Sequence, residues 1–444
     1  MTTAYQDSRR MQTASPESPI PTLSDRLARD RSLRIIDAEV DPGPSMAIMA
    51  EEEQKRPDGG APLLFTRVRG GNVPVGMNLF GSMHRICRFL GVDGEGDLPT
   101  LTGRFLAGGG SFRPIQVDPP SRFSPRGNDI APLPSLVSWR GDGAPHTVGA
   151  GYTLAVSTFL DPETDHPTIG IYRVIRFSDS HLGICWKEGS SGERAFRWWR
   201  KRRFSMPLLL LFAPPPAVIV AASLTLPPGV EKLELAGGWA GGPIPLFPAP
   251  ETGLPIPLGT PLVVEGVVDP EERRPGGRYY NHTGRFEDVG PVPLLRVISL
   301  SMGGDTLLPQ TVVAPPPTES TTLARAGWRL ILPLIQREFP EIVDIHLPAG
   351  GIWHGAVFIS LSALPESGRE ILQTLWRSPF FSRSRLLLLL DENTPPDDFS
   401  RIFWQVMNRC VVGRDLVIAD PGDPASPWGG KIGIDARGLP RERT

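Results

Sequence analysis

Ala314-Pro315-Pro316-Pro317-Thr318 separates two stretches of chain whose apolar residues keep different periods. Upstream of it, from about residue 136, short β-type runs follow closely at 152–158, 169–177, 244–247, 262–268 and 293–299, with turn residues between them. Such a density of short strands predicts a barrel or sandwich, not a doubly wound sheet. Downstream, Trp328, Ile331, Leu332, Leu334 and Ile335 recur at helical spacing within 323–339. Strands at 342–347, 356–361, 386–390 and 415–418 then alternate with helices at 366–377 and 397–409. The leucine run 386–390 before Asp391 fits a strand buried on both faces, and the alternation predicts an α/β domain.

Toward the N-terminus the pattern predicts a helix at 22–31, a strand at 33–40, a helix at 42–55 and a strand at 62–68. Asn78-Leu79-Phe80-Gly81 opens a helix at 82–90, and the Gly- and Pro-rich text from 91 to 135 reads as loops. Residues 1–21 are polar and rich in Ser, Thr and Pro, which predicts a disordered tail and no secretion signal. The expected organisation is a tail at 1–21, an N-terminal α/β segment at 22–135, a β-barrel domain at 136–318 and a C-terminal α/β domain at 319–444.

Composition narrows the functional classes. A net charge of -2 gives no basic field for nucleic acid or an anionic membrane. Cys87, Cys185 and Cys410 are too scattered for a disulfide framework or structural zinc, which suits a reducing, cytoplasmic setting. The apolar stretch 206–226 is broken by Pro214-Pro215-Pro216, which removes backbone donors where lipid could not compensate. It reads as a buried strand at 208–212 and a helix at 217–224, so no membrane span is expected.

Few residues carry obvious chemistry. Arg173 can hold a carboxylate or phosphate by paired hydrogen bonds, or serve a structural ion pair at a strand end. His282 is an acid–base candidate near neutrality, or a turn histidine satisfied by backbone. Arg194-Ala-Phe-Arg-Trp-Trp-Arg-Lys-Arg-Arg203 reads as a helix with Phe196 and Trp199 inward and its bases solvated. Gly108-Gly-Gly110 and Gly237-Gly238 lack the strand–turn–helix setting of a dinucleotide site, and Trp239 and Trp428 read as packing residues.

Several ordered blocks resemble the UbiD family of decarboxylases. They are Ala61-Pro-Leu-Leu-Phe65, Val73-Pro-Val-Gly-Met-Asn78, Asp161-Pro-Glu-Thr164, Ile169-Gly-Ile-Tyr-Arg173, Ala236-Gly-Gly-Trp-Ala-Gly241, Phe339-Pro-Glu-Ile-Val-Asp344 and Gly430-Lys-Ile-Gly-Ile-Asp-Ala436. The resemblance implies a mixed α/β fold with an N-terminal α/β segment, a central split β-barrel of flavin-binding type and a C-terminal dimerisation domain. It also implies prenylated flavin mononucleotide, a divalent metal at its phosphate, and an Arg–carboxylate–carboxylate network for protons. Carried over by position, the metal ligands fall on Thr168, Gly189 and Lys232, and the two acids on Gly276 and Asn281. None is an ordinary ligand or acid, so no metal is expected. A register slip would bring Glu188, Glu231 or Glu234 to a ligand position, and Glu271, Glu272 and Glu287 are the carboxylates nearest the lost acids.

The expected site therefore has Arg173, His282 and Asn281 in catalytic positions. Lys431, Lys232, Thr168 and Tyr172 line a cavity or vestigial cofactor site. The reading favoured is a repurposed, cofactor-independent cyclase, lyase or isomerase acting on a hydrophobic unsaturated substrate with an anionic or carbonyl group. One alternative is a non-catalytic partner of an intact UbiD-type paralogue. The other is a prenylated-FMN-dependent decarboxylase of an aromatic or unsaturated acid. A homodimer is expected, with an intact UbiD-type paralogue as the partner under the first alternative.

Overall fold

A computed structural model describes residues 20–121, 123–143, 151–227, 229–303, 305–362, 367–419 and 430–438. The tail assigned to 1–21, apart from its last two residues, and Trp428 lie outside the described residues.

Six antiparallel strands close a barrel: β1 (Tyr152–Asp161), β2 (His166–Arg176), β3 (His181–Cys185), β4 (Met206–Phe212), β5 (Leu262–Tyr280) and β6 (Phe286–Met302). Their order is β5-β4-β1-β2-β3-β6, and β6 pairs back onto β5. The run Leu208-Leu-Leu-Leu211 in β4 explains how both faces are filled. Leu208, Leu210 and Phe212 join the cluster holding Ala155, Val174, Ile184, Val264 and Leu295 from the other strands, which is the barrel interior. Leu209 and Leu211 point the other way, onto Val218, Ile219 and Val220 of the helix Pro216–Ala222. Strict alternation thus makes one apolar run serve two cores.

The N-terminal segment supplies Arg34–Ile36, Leu63–Phe65 and Val75–Met77 to a small sheet completed by Leu308–Gln310, which follows the barrel in the chain. The C-terminal domain starts with the long helix Glu319–Glu338 and holds a mixed sheet. Its strands are β7 (Ile342–His346), β8 (Ala356–Leu361), β9 (Leu386–Asp391), β10 (Leu416–Ala419) and β11 (Lys431–Asp435). They stand in the order β7-β8-β9-β11-β10, with β9 parallel to β8 and β11. The mixed α/β class with a central barrel is as expected.

Two expectations need correction. The loops assigned to 91–135 include the helix Leu98–Ala107, which buries Leu98, Leu101 and Thr102; Gly103 and the glycines at 108–110 obscured its period. The strands assigned to 262–268 and 293–299 are the inner halves of a much longer hairpin, β5–β6. Its outer part pairs Arg273 with Pro293 and Pro275 with Pro291, so prolines that read as strand breakers sit opposite one another in a ribbon.

Candidate active site

The stretch 276–285 is strand to Tyr280 and then a tight turn before Phe286. Gly276 sits where the backbones of β5 and β6 approach closely. A Cβ there would lie 2.8 Å from the carbonyl oxygens of Gly290 and Val289. Asn281 spends its side chain within the turn: Oδ1 accepts from the Thr283 N–H at 2.9 Å and Nδ2 donates to Glu287 at 2.9 Å. Glu271, Glu272 and Glu287 are all exposed.

His282 joins the turn to the C-terminal domain. Its Nδ1–H donates to the Ala314 carbonyl at 3.2 Å, and Nε2 accepts from Trp353 Nε1–H at 3.3 Å. Burial, followed by the Lys187 and Arg173 charges, outweighs the carbonyl bond and pushes its pKa down to about 4. The ring is neutral with both nitrogens engaged, so it acts as a strut. Ile352 and Trp353, at φ 48° and 56°, hold a left-handed conformation that bulky side chains rarely adopt. That strained corner aims the Trp353 indole at His282.

Arg173 lies on β2 opposite Cys185 of β3, with its guanidinium 4.5 Å from the centre of the Tyr279 ring. Its Nη1 is buried with no hydrogen-bond partner among the described residues. The nearby carboxylate is Asp142, which sequence reasoning missed. Its Oδ1 accepts from Tyr280 N–H at 2.8 Å and its Oδ2 from Trp139 N–H at 3.2 Å. Burial raises the Asp142 pKa; the Tyr280 N–H, the Arg173 charge and the Trp139 N–H only partly oppose this. Burial also pushes the Cys185 thiol up to about 12 and raises the Tyr279 phenol, so both stay protonated. Asp142 sits in Trp139-Arg-Gly-Asp-Gly143, a turn with no motif, and long-range contacts with β5, among them the bridge Gly143–Arg278 and the Trp139–Tyr280 ring pair, bring it to the site.

Tyr172, one residue before Arg173, faces the opposite side of β2. It accepts the Gly192 N–H at 2.9 Å at the start of the helix α1 (Ser191–Lys201) and packs edge-on against Trp186. Lys232 begins the helix α2 (Lys232–Ala240) and donates to the Ile169 carbonyl at 2.9 Å, beside Thr168 on β2. Arg194 of α1 donates to the Gly189 carbonyl at 2.8 Å, and a Cβ on Gly189 would lie 3.7 Å from Arg383 Nη2 of the C-terminal domain. Burial, then the Arg194 charge, pulls Lys232 down to about 7.

The positions 168, 189 and 232 therefore converge, but their chemistry is a hydroxyl, a bare backbone and an ammonium, which does not fit a divalent ion. Among the described residues no group of three or more His, Cys, Asp or Glu side chains is arranged to hold a metal. His354, next to the strained corner, is pushed down to about 4 by burial and then by the Arg383 and Lys187 charges. Tyr172 and Lys232 thus group with Arg194 near Gly189, Arg173 groups with Tyr279 and Asp142 on the other side of β2, and His282 bonds across to the C-terminal domain. Lys431 starts β11, with its ammonium 5.9 Å from the Trp376 ring. A separate open hollow of about 630 Å³ is lined by charged residues that include the ion pair of Arg85 Nε with Asp30 Oδ2 at 3.0 Å.

Comparison with known proteins agrees with this architecture. Family models of the 3-octaprenyl-4-hydroxybenzoate carboxy-lyase N-terminal, Rift-related and C-terminal domains match residues 24–105, 119–316 and 321–436. An uncharacterized protein of Archaeoglobus fulgidus is 27% identical over 438 residues, spanning 93% of this chain and 90% of that protein. The structure of an evolved dimeric form of the UbiD-class enzyme HmfF from Pelotomaculum thermopropionicum, in complex with prFMN, aligns with a TM-score of 0.79. It is 22% identical and covers 94% of this chain and 95% of that one. The closed form of Sedimentibacter hydroxybenzoicus vanillic acid decarboxylase aligns with a TM-score of 0.83 at 18% identity, covering 96% of this chain and 94% of that one. Likeness at these identities is evidence of shared fold. With all three domains matched in order, this chain belongs to the UbiD family.

Proposed function

We propose that the protein is an enzyme built on the UbiD carboxy-lyase scaffold that has left metal-assisted decarboxylation. It acts as an isomerase, cyclase or lyase on a hydrophobic unsaturated molecule bearing a carboxylate or enolate. One observation carries the reading: the Arg173 guanidinium is stacked on Tyr279, and its buried Nη1 has no partner among the described residues. A buried cation with a free donor is costly unless an anion completes it. Arg173 would hold the substrate anion, and Asp142 would carry the proton, because burial keeps its carboxyl in reach of the protonated form at higher pH than usual. His282 and Asn281 would position the hairpin turn.

Prenylated FMN would supply an electron-accepting ring when bound, but the proton step proposed needs only Arg173 and Asp142. The protein would work as a homodimer in the cytoplasm. Support for the dimer is the helix α5 (Phe399–Arg409), where Phe399, Phe403, Trp404 and Met407 are 54%, 67%, 49% and 64% exposed on one face. A self-complementary apolar face of this kind suits a two-fold contact. No helix among the described residues is long and apolar enough to cross a membrane.

The test is turnover of a panel of aryl and polyenyl carboxylates by flavin-free protein in D2O, read by mass spectrometry. Deuterium uptake without carbon dioxide release, lost in Asp142→Asn, is the expected result. Carbon dioxide release that requires prenylated FMN would establish the decarboxylase alternative instead. Inactivity that is relieved only by an added intact UbiD-type paralogue would establish the partner alternative.

A further inference from the structure

Four cations meet at the junction between barrel and C-terminal domain. Lys232 and Arg194 spend their described hydrogen bonds on the backbone carbonyls of Ile169 and Gly189. Arg383 reaches Gly189 from the C-terminal side, and Lys187 stands two residues before that glycine, acting with Arg383 on His354. None of the four forms an ion pair among the described residues, whereas Arg325 pairs with Glu95 and Arg409 with Asp391 elsewhere in the molecule. The one acid in the first turn of α1, Glu193, is bonded to Arg197 at 2.7 Å.

Crowded like charges raise the free energy of the fold unless something of opposite sign neutralises them. Arg194 opposes the charge on both Lys232 and Arg383, so the three lie within electrostatic reach of one another. Their arrangement comes from three separate elements: α2, α1 and the turn after the helix Gly368–Arg377. A lone carboxylate, with one negative charge, would leave most of this charge uncompensated. A dianion with three terminal oxygens matches point-charge and forked donors that approach from different directions. A divalent metal would be repelled.

We propose that Lys232, Arg194, Arg383 and Lys187 form a metal-free clamp for a phosphate monoester, carried either by a flavin mononucleotide or by a phosphorylated substrate. The clamp rests on the reading of the junction as a ligand site, but not on the chemistry assigned to Arg173 and Asp142. Lys232 stands at one position where the family resemblance expects a metal ligand, and Arg194 and Arg383 gather at another, Gly189, so that cations bind the anion directly.

The experiment is equilibrium binding of FMN, riboflavin and phenyl phosphate to the full chain, each with EDTA and with Mn²⁺. FMN should bind at least about tenfold more tightly than riboflavin and equally well in both media. Arg383→Ala and Lys232→Met should each weaken FMN at least about tenfold while leaving riboflavin unchanged. Arg194→Gln, at an exposed position, serves as the variant least able to disturb folding, with circular dichroism as the control. Competition by phenyl phosphate would mean that the phosphate alone is recognised, and its failure to compete that a flavin is required; both support the clamp. Equal affinity for FMN and riboflavin, or FMN binding abolished by EDTA, would overturn it. Arg173→Ala, which should spare FMN affinity, separates failure of the clamp from failure of the proposed reaction.

Discussion

Arg173 shows how one side chain can be held ready without being satisfied. Tyr279 covers one face of its guanidinium, Cys185 stands opposite on β3, and neither supplies an oxygen to Nη1. A charged hydrogen bond to a substrate anion in such a place is worth about 1.5–3 kcal/mol. Arg173→Ala should therefore weaken an aryl or polyenyl carboxylate by roughly 10- to 100-fold. Arg173→Lys should recover only part of this, because an ammonium cannot stack flat on Tyr279 or present a fork. Calorimetric titration decides the matter: unchanged affinity in the alanine variant would remove Arg173 from the site.

At the scale of elements, the β5–β6 hairpin leaves no room for a carboxylate side chain at position 276. Glycine at 276 lets the ribbon close, since any Cβ would press on the carbonyls of Val289 and Gly290. Gly276→Glu should thus lower stability by about 1–3 kcal/mol and not create decarboxylase activity. A urea midpoint equal to that of the parent would show that the ribbon opens freely there. The same hairpin marks the boundary of what sequence alone could tell. Its inner half was readable, because Leu262, Val264 and Leu300 alternate into the barrel interior. The outer half was not, since prolines and paired glycines in a two-stranded ribbon look like turns. Arg173 and Lys232 could be picked out from matched blocks, whereas Asp142, Arg383 and Trp353 become neighbours of the site only through long-range pairing that leaves no local pattern.

Across the whole molecule, one feature bears on assembly and another on the contacts between domains, and they can be tested separately. The proposed homodimer predicts that Phe403→Asp with Met407→Asp on the helix Phe399–Arg409 gives monomers in sedimentation where the parent gives dimers, without unfolding, as both side chains are already exposed. The second feature is buried titratable groups at the domain contacts. His282 and His354 at the junction are both held at about 4, mainly by burial, below the ordinary histidine value of 6.5. A depressed folded pKa means stability that is present above 6.5 and is lost as pH falls through 4, because the unfolded chain takes up the proton first. Glu319 works in the opposite sense. It starts the helix Glu319–Glu338, accepts the Phe80 N–H at 2.7 Å and is raised to about 7 by burial. Its contribution is full below 4.5 and disappears as pH rises through 7. Lys232, pulled down to about 7, titrates alike in the parent and in both variants, so it cancels from their comparison. Urea midpoints at pH 7.5 and 5 should therefore move in opposite directions for two variants. His354→Gln should gain on the parent protein as pH falls, and Glu319→Gln should lose, each by on the order of 1–3 kcal/mol. Parallel shifts in the two variants would mean that these groups are hydrated in the folded protein, and that the junction between barrel and C-terminal domain is open to water.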